Sequence, residues 1–247
     1  MSEAIGQIVT SKRSSFYREG IDLVRQGALR LPLRSYRFLL LACVLLLPAA
    51  LLLVAIGQPW VSPKWLFFDS LTAAEFSEDC CHIYYGFISN LGIFLWIGTA
   101  AITLFCAILF WILPHFRPYF GFALSAGLLS GWLGLDDAFL LHEVAFPKLG
   151  VPQNAVLASY LILALVYGLV SWRTILSSEF WVLGLAGIGV GASLAIDVIL
   201  HSIDDNIVVL EDSAKFMGLF AWFAFHAVTC ILILTSRHIQ SKRSLSR

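Results

Sequence analysis

Six apolar stretches, each about 20 residues or longer, alternate along this chain with short segments of proline, glycine and charged residues. They run from Tyr36 to Gly57, Tyr84 to Leu113, Gly121 to Phe146, Val156 to Leu176, Phe180 to Ile203 and Leu210 to Ser236. A helix rises about 1.5 Å per residue and the hydrocarbon core of a bilayer is about 30 Å thick, so each stretch is long enough to cross. Pro59 and Pro63, Pro114 and Pro118, and Pro147 and Pro152 punctuate the first three ends. The pattern predicts an all-α, polytopic membrane helical bundle of about six transmembrane helices.

Composition agrees with the pattern. Residues are 59% hydrophobic and 13% charged, with a mean hydropathy of +0.84, which excludes an ordinary soluble domain. No linker is long enough to separate two domains. The expected organisation is a basic cytoplasmic or interfacial segment over 1–35, a single transmembrane domain over 36–236 and a basic cytoplasmic tail over 237–247. Between Phe16 and Leu31, apolar residues mix with Arg18, Arg25 and Arg30, as in a helix lying on an anionic membrane surface or a flexible basic arm. The first apolar stretch is too long for a cleaved signal peptide and reads as a retained signal-anchor.

The net charge is zero, yet the charges are polarised. Lys12, Arg13, Arg18, Arg25, Arg30, Arg34 and Arg37 precede the first span, Arg237, Lys242, Arg243 and Arg247 follow the last, and Arg117 and Arg173 lie in the second and fourth connections. Basic residues stay on the cytoplasmic side, so both termini are expected inside, which requires an even number of crossings. Most acids then fall in outward loops and outward helix halves. A bacterial inner (plasma) membrane, with the polar centre facing the extracytoplasmic side, is the expected location.

That polar centre is the candidate chemistry. Asp136, Asp137, His142 and Glu143 lie in the outer part of the third apolar stretch, and Asp197 and His201 at similar depth in the fifth. A charged side chain near a helix centre costs roughly 2.5–3.5 kcal/mol, so several together imply mutual pairing, a bound cation or a water-filled cavity. Projected on a continuous helix, Asp136 and Glu143 share a face, while Ser193, Asp197, His201 and Asp204 form a stripe roughly 16 Å long. Glu211, Lys215, Gly218 and Trp222 align on the sixth stretch, and Ser89 and Trp96 on the second. Glycines at Gly127, Gly131 and Gly134, and at Gly184, Gly187, Gly189 and Gly191, predict close packing of the third helix on the fifth.

Imidazoles beside carboxylates suit zinc, iron or manganese, and the expected ligands are Asp136, His142, Asp197, His201 and Glu211. A bound divalent transition metal would activate water, with Asp137 or Glu143 as general base and Ser89 and Lys215 orienting or stabilising charge. A centre a turn or two below the surface suits an ester, amide or vinyl-ether bond of a lipid or other amphiphilic substrate. This predicts a metal-dependent membrane hydrolase. In layout the centre is similar to intramembrane hydrolases of the ceramidase type, although the His-x-x-x-His pair expected on a late helix is absent here and no residue is carried across.

Two other classes use the same residues. A proton or cation transporter would employ them as relay or binding site, although the inner halves are almost uncharged and the two halves of the chain show no repeat. An accessory or structural subunit of a membrane complex would hold them as buried ion pairs, with Lys215 one turn from Glu211. Expected partners are therefore membrane lipids, an amphiphilic substrate or membrane-complex subunits, and no nucleic acid, since orientation already explains the basic termini.

Cys43, Cys106 and Cys230 lie in apolar helices and read as small hydrophobes. His226, one turn from Cys230, reads as a hydrogen-bonded packing residue. Cys80 and Cys81 sit on the outward side, suited to a soft metal or intermolecular disulfides. Thr72 and Glu75 fit a capping box, and with Trp60, Trp65, Phe67 and Phe68 they predict a short interfacial helix over the outer mouth.

Overall fold

The computed structural model describes residues 29–31, 33–77, 82–200 and 205–245, with side chains except those of residues 143, 197, 198, 200, 205, 206 and 236–245. Cys80, Cys81, His201, Asp204 and most of the basic N-terminal segment therefore lie outside the described residues. The described chain is all-helical. Its long helices are α1 (Arg34–Gly57), α2 (Phe87–Ile112), α3 (Phe120–Phe139), α4 (Gln153–Ser177), α5 (Phe180–Leu200) and α6 (Asp205–Leu245).

Four helical segments, Arg34–Gly57, Phe87–Ile112, Gln153–Ser177 and Ile207–Thr235, are long and apolar enough to cross a membrane. Among the described residues α5 contributes a shorter apolar stretch, Phe180–Ile196. α3 carries Asp136 and Asp137 near its end, which lowers its hydropathy. Leu46, Leu53, Val54, Phe94, Leu161 and Leu169 point outward and exposed, as befits helices wrapped in lipid rather than water.

α2, α3 and α6 form the centre. α5 packs along α6, α4 along α3, and α1 against α6. The core joins Phe110 of α2, Phe122 of α3, Val182 of α5 and Phe225 and Ile233 of α6, each at most 2% exposed. Glycine contacts explain this arrangement and correct the expected pairing of third and fifth helices. A Cβ on Gly127 would stand 2.6 Å from Leu104, and one on Gly134 2.9 Å from Trp96, so these glycines seat α3 on α2. A Cβ on Gly189 would stand 2.6 Å from the Gly218 Cα, so α5 meets α6 backbone to backbone. The α5 glycines Gly184, Gly187 and Gly191 have nothing within 4 Å of their Cβ positions. Both helices carry glycine spacings, but spacing alone leaves the partner open.

The third helix is also shorter than the apolar run suggested. It stops at Phe139, Leu140 adopts the left-handed conformation (φ 47°, ψ 46°), and Leu141–Ala145 form a π turn. His142 and Glu143 are thus not on the same regular helix as Asp136. Between α1 and α2, short helices Lys64–Phe67 and Ser70–Ser77 bury Leu66, Phe67 and Ala73. Gly86 donates its N–H to the Trp65 carbonyl at 3.0 Å, and the Ser70 hydroxyl donates to the Tyr85 carbonyl at 3.1 Å. A short helix stands where one was expected, but Asp69, whose Oδ1 accepts the Leu71 and Thr72 N–H groups at 3.0 and 2.9 Å, caps it in place of Thr72, which lies inside the helix. Phe67 and Phe68 are buried against the bundle.

Gly189→Val or Gly218→Val should destabilise the protein by about 1–3 kcal/mol or more, because the clashing atoms are backbone. Gly187→Ala, with open space at its Cβ, should be neutral or slightly stabilising. Thermal unfolding in detergent reads the difference.

Candidate functional site: a forked carboxylate pair

Asp136 and Asp137 are consecutive near the end of α3. Neighbouring residues on a helix diverge by about 100°, so their carboxylates serve different sides of the bundle. Asp136 is 3% exposed and faces α4 and its own chain reversal. Its Oδ1 accepts the His142 backbone N–H at 2.9 Å and the Tyr160 hydroxyl at 2.8 Å. Its Oδ2 lies 2.6 Å from His142 Nδ1. Three donors converge on one buried carboxylate.

That convergence requires the break at Leu140. Six residues along an unbroken helix turn by about 600°, which would set His142 about 120° away from Asp136. Among the described residues, Leu140 is the one non-glycine with positive φ. Its left-handed conformation costs roughly 1–2 kcal/mol and is held by what surrounds it. The Leu140 N–H is bonded to the Asp136 carbonyl, the Val144 N–H to the Leu140 carbonyl at 2.8 Å, and the Asp136 side chain takes the His142 N–H. The reversal brings the imidazole back over the carboxylate. With Nδ1 donating to Asp136, a neutral His142 carries its ring lone pair on Nε2.

Asp137 turns the other way. Its Oδ1 accepts from Lys215 Nζ of α6 at 2.9 Å, and its Oδ2 from Trp96 Nε1 of α2 at 3.0 Å. This one carboxylate ties the three central helices. The pairing with Lys215 is an interhelix contact that the one-turn spacing of Glu211 and Lys215 did not suggest. Ser89, Gly92, Asp137, Asp212, Lys215 and Phe216 line a small cavity here. Ser89 and Lys215 are thus brought together with Asp137, and Asp212 joins them.

Polar groups continue inward. The Trp96 and Trp222 rings meet edge to face at 5.7 Å, and Trp222 Nε1 donates to Ser130 Oγ at 2.9 Å. His226 is fully buried, with Nδ1 2.8 Å from the Trp222 carbonyl and Nε2 2.9 Å from the Tyr167 hydroxyl. A carbonyl only accepts, so Nδ1 carries the proton and Nε2 accepts from Tyr167. His226 is a packing residue with both ring nitrogens engaged, as expected.

Of the expected metal ligands, Asp136 and His142 come together, and both Asp136 oxygens already face protein donors. Glu211 stands on α6 one turn before Lys215. Asp197 lies on α5 with its side chain undescribed, as is that of Glu143, and His201 is outside the described residues. Among the described residues, no group of three or more His, Cys, Asp or Glu side chains could hold a metal ion. Sequence reasoning missed Tyr160, Tyr167 and Asp212. The tyrosines carried a signal: seven residues apart in an apolar helix, they share a face, and both hydroxyls point into the bundle.

The fold and this centre define a helical membrane protein with an interhelix ion pair, Lys215–Asp137, inside the bundle. Residues 39–229 match the family described as "Domain of unknown function (DUF8692)", and the chain belongs to that family. No curated protein matches the chain. No solved structure matches it.

Tyr160→Phe removes a hydrogen bond to a charged group and should destabilise by about 1.5–3 kcal/mol. Tyr167→Phe should cost about 1–3 kcal/mol by leaving a His226 nitrogen buried without its donor. Chemical or thermal unfolding of the two variants in detergent, beside the wild type, checks both.

Proposed function

We propose that this protein is a membrane-embedded hydrolase for a lipid or other amphiphile, with six crossings and both termini cytoplasmic, in which His142 activates water. The observation that carries this reading is the 2.6 Å contact between His142 Nδ1 and Asp136 Oδ2, made at a strained chain reversal. A carboxylate that fixes one imidazole nitrogen orients the other for proton transfer or metal ligation. Left-handed non-glycine residues and π turns concentrate at functional positions. Asp136 is then a positioning residue rather than a ligand.

In the reaction, His142 Nε2 takes a proton from water and the hydroxide oxygen adds to the carbonyl carbon of an ester or amide. Collapse breaks the bond to the leaving oxygen or nitrogen, which takes the proton back from the imidazolium. Nε2 is also the atom through which His142 would hold zinc, iron or manganese, with Asp197, His201 and Glu143 as further candidate ligands or base. Such an ion would lower the pKa of its bound water.

A second reading rests on the other branch of the fork. One cavity brings Lys215 against two carboxyls, Asp137 and Asp212. A single ammonium balances one of them, so the other favours a proton or small cation, as a transporter would use. Asp212→Asn should then abolish pH-driven flux in liposomes, whereas flux equal to wild type removes this reading.

The hydrolase reading is tested with purified protein and vesicles of ester, amide and vinyl-ether lipids, scored for released products by mass spectrometry. Wild type should release product, and His142→Ala should lose activity by about 10²–10⁴-fold. Asp136→Asn should lose less. Equal release by wild type and His142→Ala, or no release by wild type from any of the lipids, overturns the assignment. Elemental analysis of the same samples decides whether a divalent ion takes part: metal lost in His142→Ala supports it, and equal negligible metal in both rules it out.

A further inference from the structure

Opposite in character to the acidic centre is a groove where α1 begins. It is lined by Leu31, Arg34, Arg37, Phe38, Leu41 and Trp181. Glu179, 3% exposed in the connection between α4 and α5, organises it. Its Oε1 accepts the Leu31 N–H at 2.8 Å and Arg37 Nε at 3.0 Å, and its Oε2 accepts Trp181 Nε1 at 2.8 Å. One buried carboxylate thus fixes the chain entering α1, an arginine on α1 and a tryptophan on α5.

The consequences for charge and shape follow. Arg37 engages Glu179 through Nε, and its side chain is 41% exposed, so the outer edge of its guanidinium reaches the groove mouth. Arg34, one turn earlier on α1, is exposed, with its Cζ 5.8 Å from the Phe38 ring centroid. Arg30 is also exposed and stands 5.7 Å over the Phe180 ring. Glu179 neutralises one charge, leaving the mouth net positive. Behind the arginines, Phe38, Leu41 and Trp181 make an apolar wall running along α1 into the span.

We propose that this groove binds an anionic phospholipid, with the phosphate between Arg34 and Arg37 and one acyl chain along Phe38, Leu41 and Trp181. Guanidinium groups match phosphate oxygens in a fork geometry that a lysine point charge lacks. A basic pocket between helices at the membrane surface is the setting in which acidic headgroups are held. The apolar wall accounts for the lipid rather than free phosphate as the occupant. The tryptophan, with its N–H held by Glu179 and its ring in the groove, suits the boundary between headgroup and acyl chain. This site is independent of the hydrolase reading and stands at a different place in the fold.

The test compares full-length protein in nanodiscs of phosphatidylcholine alone, the same with phosphatidylglycerol added, and phosphatidylcholine with inorganic phosphate in the buffer. Native mass spectrometry after release reads the retained lipid, and thermal unfolding reads stabilisation. Phosphatidylglycerol should be retained in preference to phosphatidylcholine and should raise the unfolding temperature. Arg34→Ala, which touches none of the Glu179 contacts, should reduce that retention roughly five-fold while the protein stays folded, as expected for one arginine at an anionic headgroup. Arg37→Lys should also weaken it. Equal retention of the two lipids, equal retention by Arg34→Ala, or the same stabilisation from inorganic phosphate alone overturns the proposal.

Discussion

A carboxylate in the interior of a membrane bundle must find donors within the protein, because lipid offers none. Two carboxylates in succession on one helix make the requirement sharper, since they leave the axis about 100° apart and cannot share a partner easily. This chain answers by distributing them. Asp136 is satisfied by α4 and by a reversal of its own chain, and Asp137 by α2 and α6. The arrangement of the central helices follows from that fork together with the glycine contacts at Gly134 and at Gly189 with Gly218.

The two branches differ in chemistry. The Asp137 branch is an ion pair with an indole donor, and it fixes how α2, α3 and α6 sit against one another. Such pairs are weak evidence of net stability, since desolvation offsets most of the attraction, but they set register. The Asp136 branch carries an imidazole that is oriented, placed on a strained turn and 15% exposed through its side chain. Orientation, strain and access together are what a reacting group needs, and His226, whose two nitrogens are both spent inside the core, lacks the last of them.

Much of the fold was legible in the sequence. Helix positions followed from apolar runs and prolines, because the length that crosses a bilayer is fixed by geometry. What the apolar run could not reveal was the end of the third helix: Leu140 is an ordinary helix former, and the left-handed turn there goes with bonds to Asp136 from His142 in the same reversal and from Tyr160 on α4. Helix partners were equally hidden. Gly-rich faces permit close approach without naming the neighbour, so the third and fifth helices each carry the spacing yet pack on the second and sixth. In the site, Asp136, Asp137, His142, Ser89 and Lys215 were visible as polar residues in apolar surroundings. Tyr160 and Tyr167 were not, because an aromatic residue with one polar atom looks like core until its hydrogen bond is seen. Asp212 reads only as one of the acids of loops and helix ends, because it stands near the start of α6.

The most direct measurement of the forked arrangement is a double-mutant cycle on Asp137 and Lys215, using Asp137→Leu, Lys215→Met and the pair, read by equilibrium unfolding in detergent. Side chains that touch across helices should couple by about 0.5–3 kcal/mol, so the double variant should be more stable than the sum of the single losses implies. Strictly additive losses would mean that the two groups do not meet in the folded protein and would contradict the account.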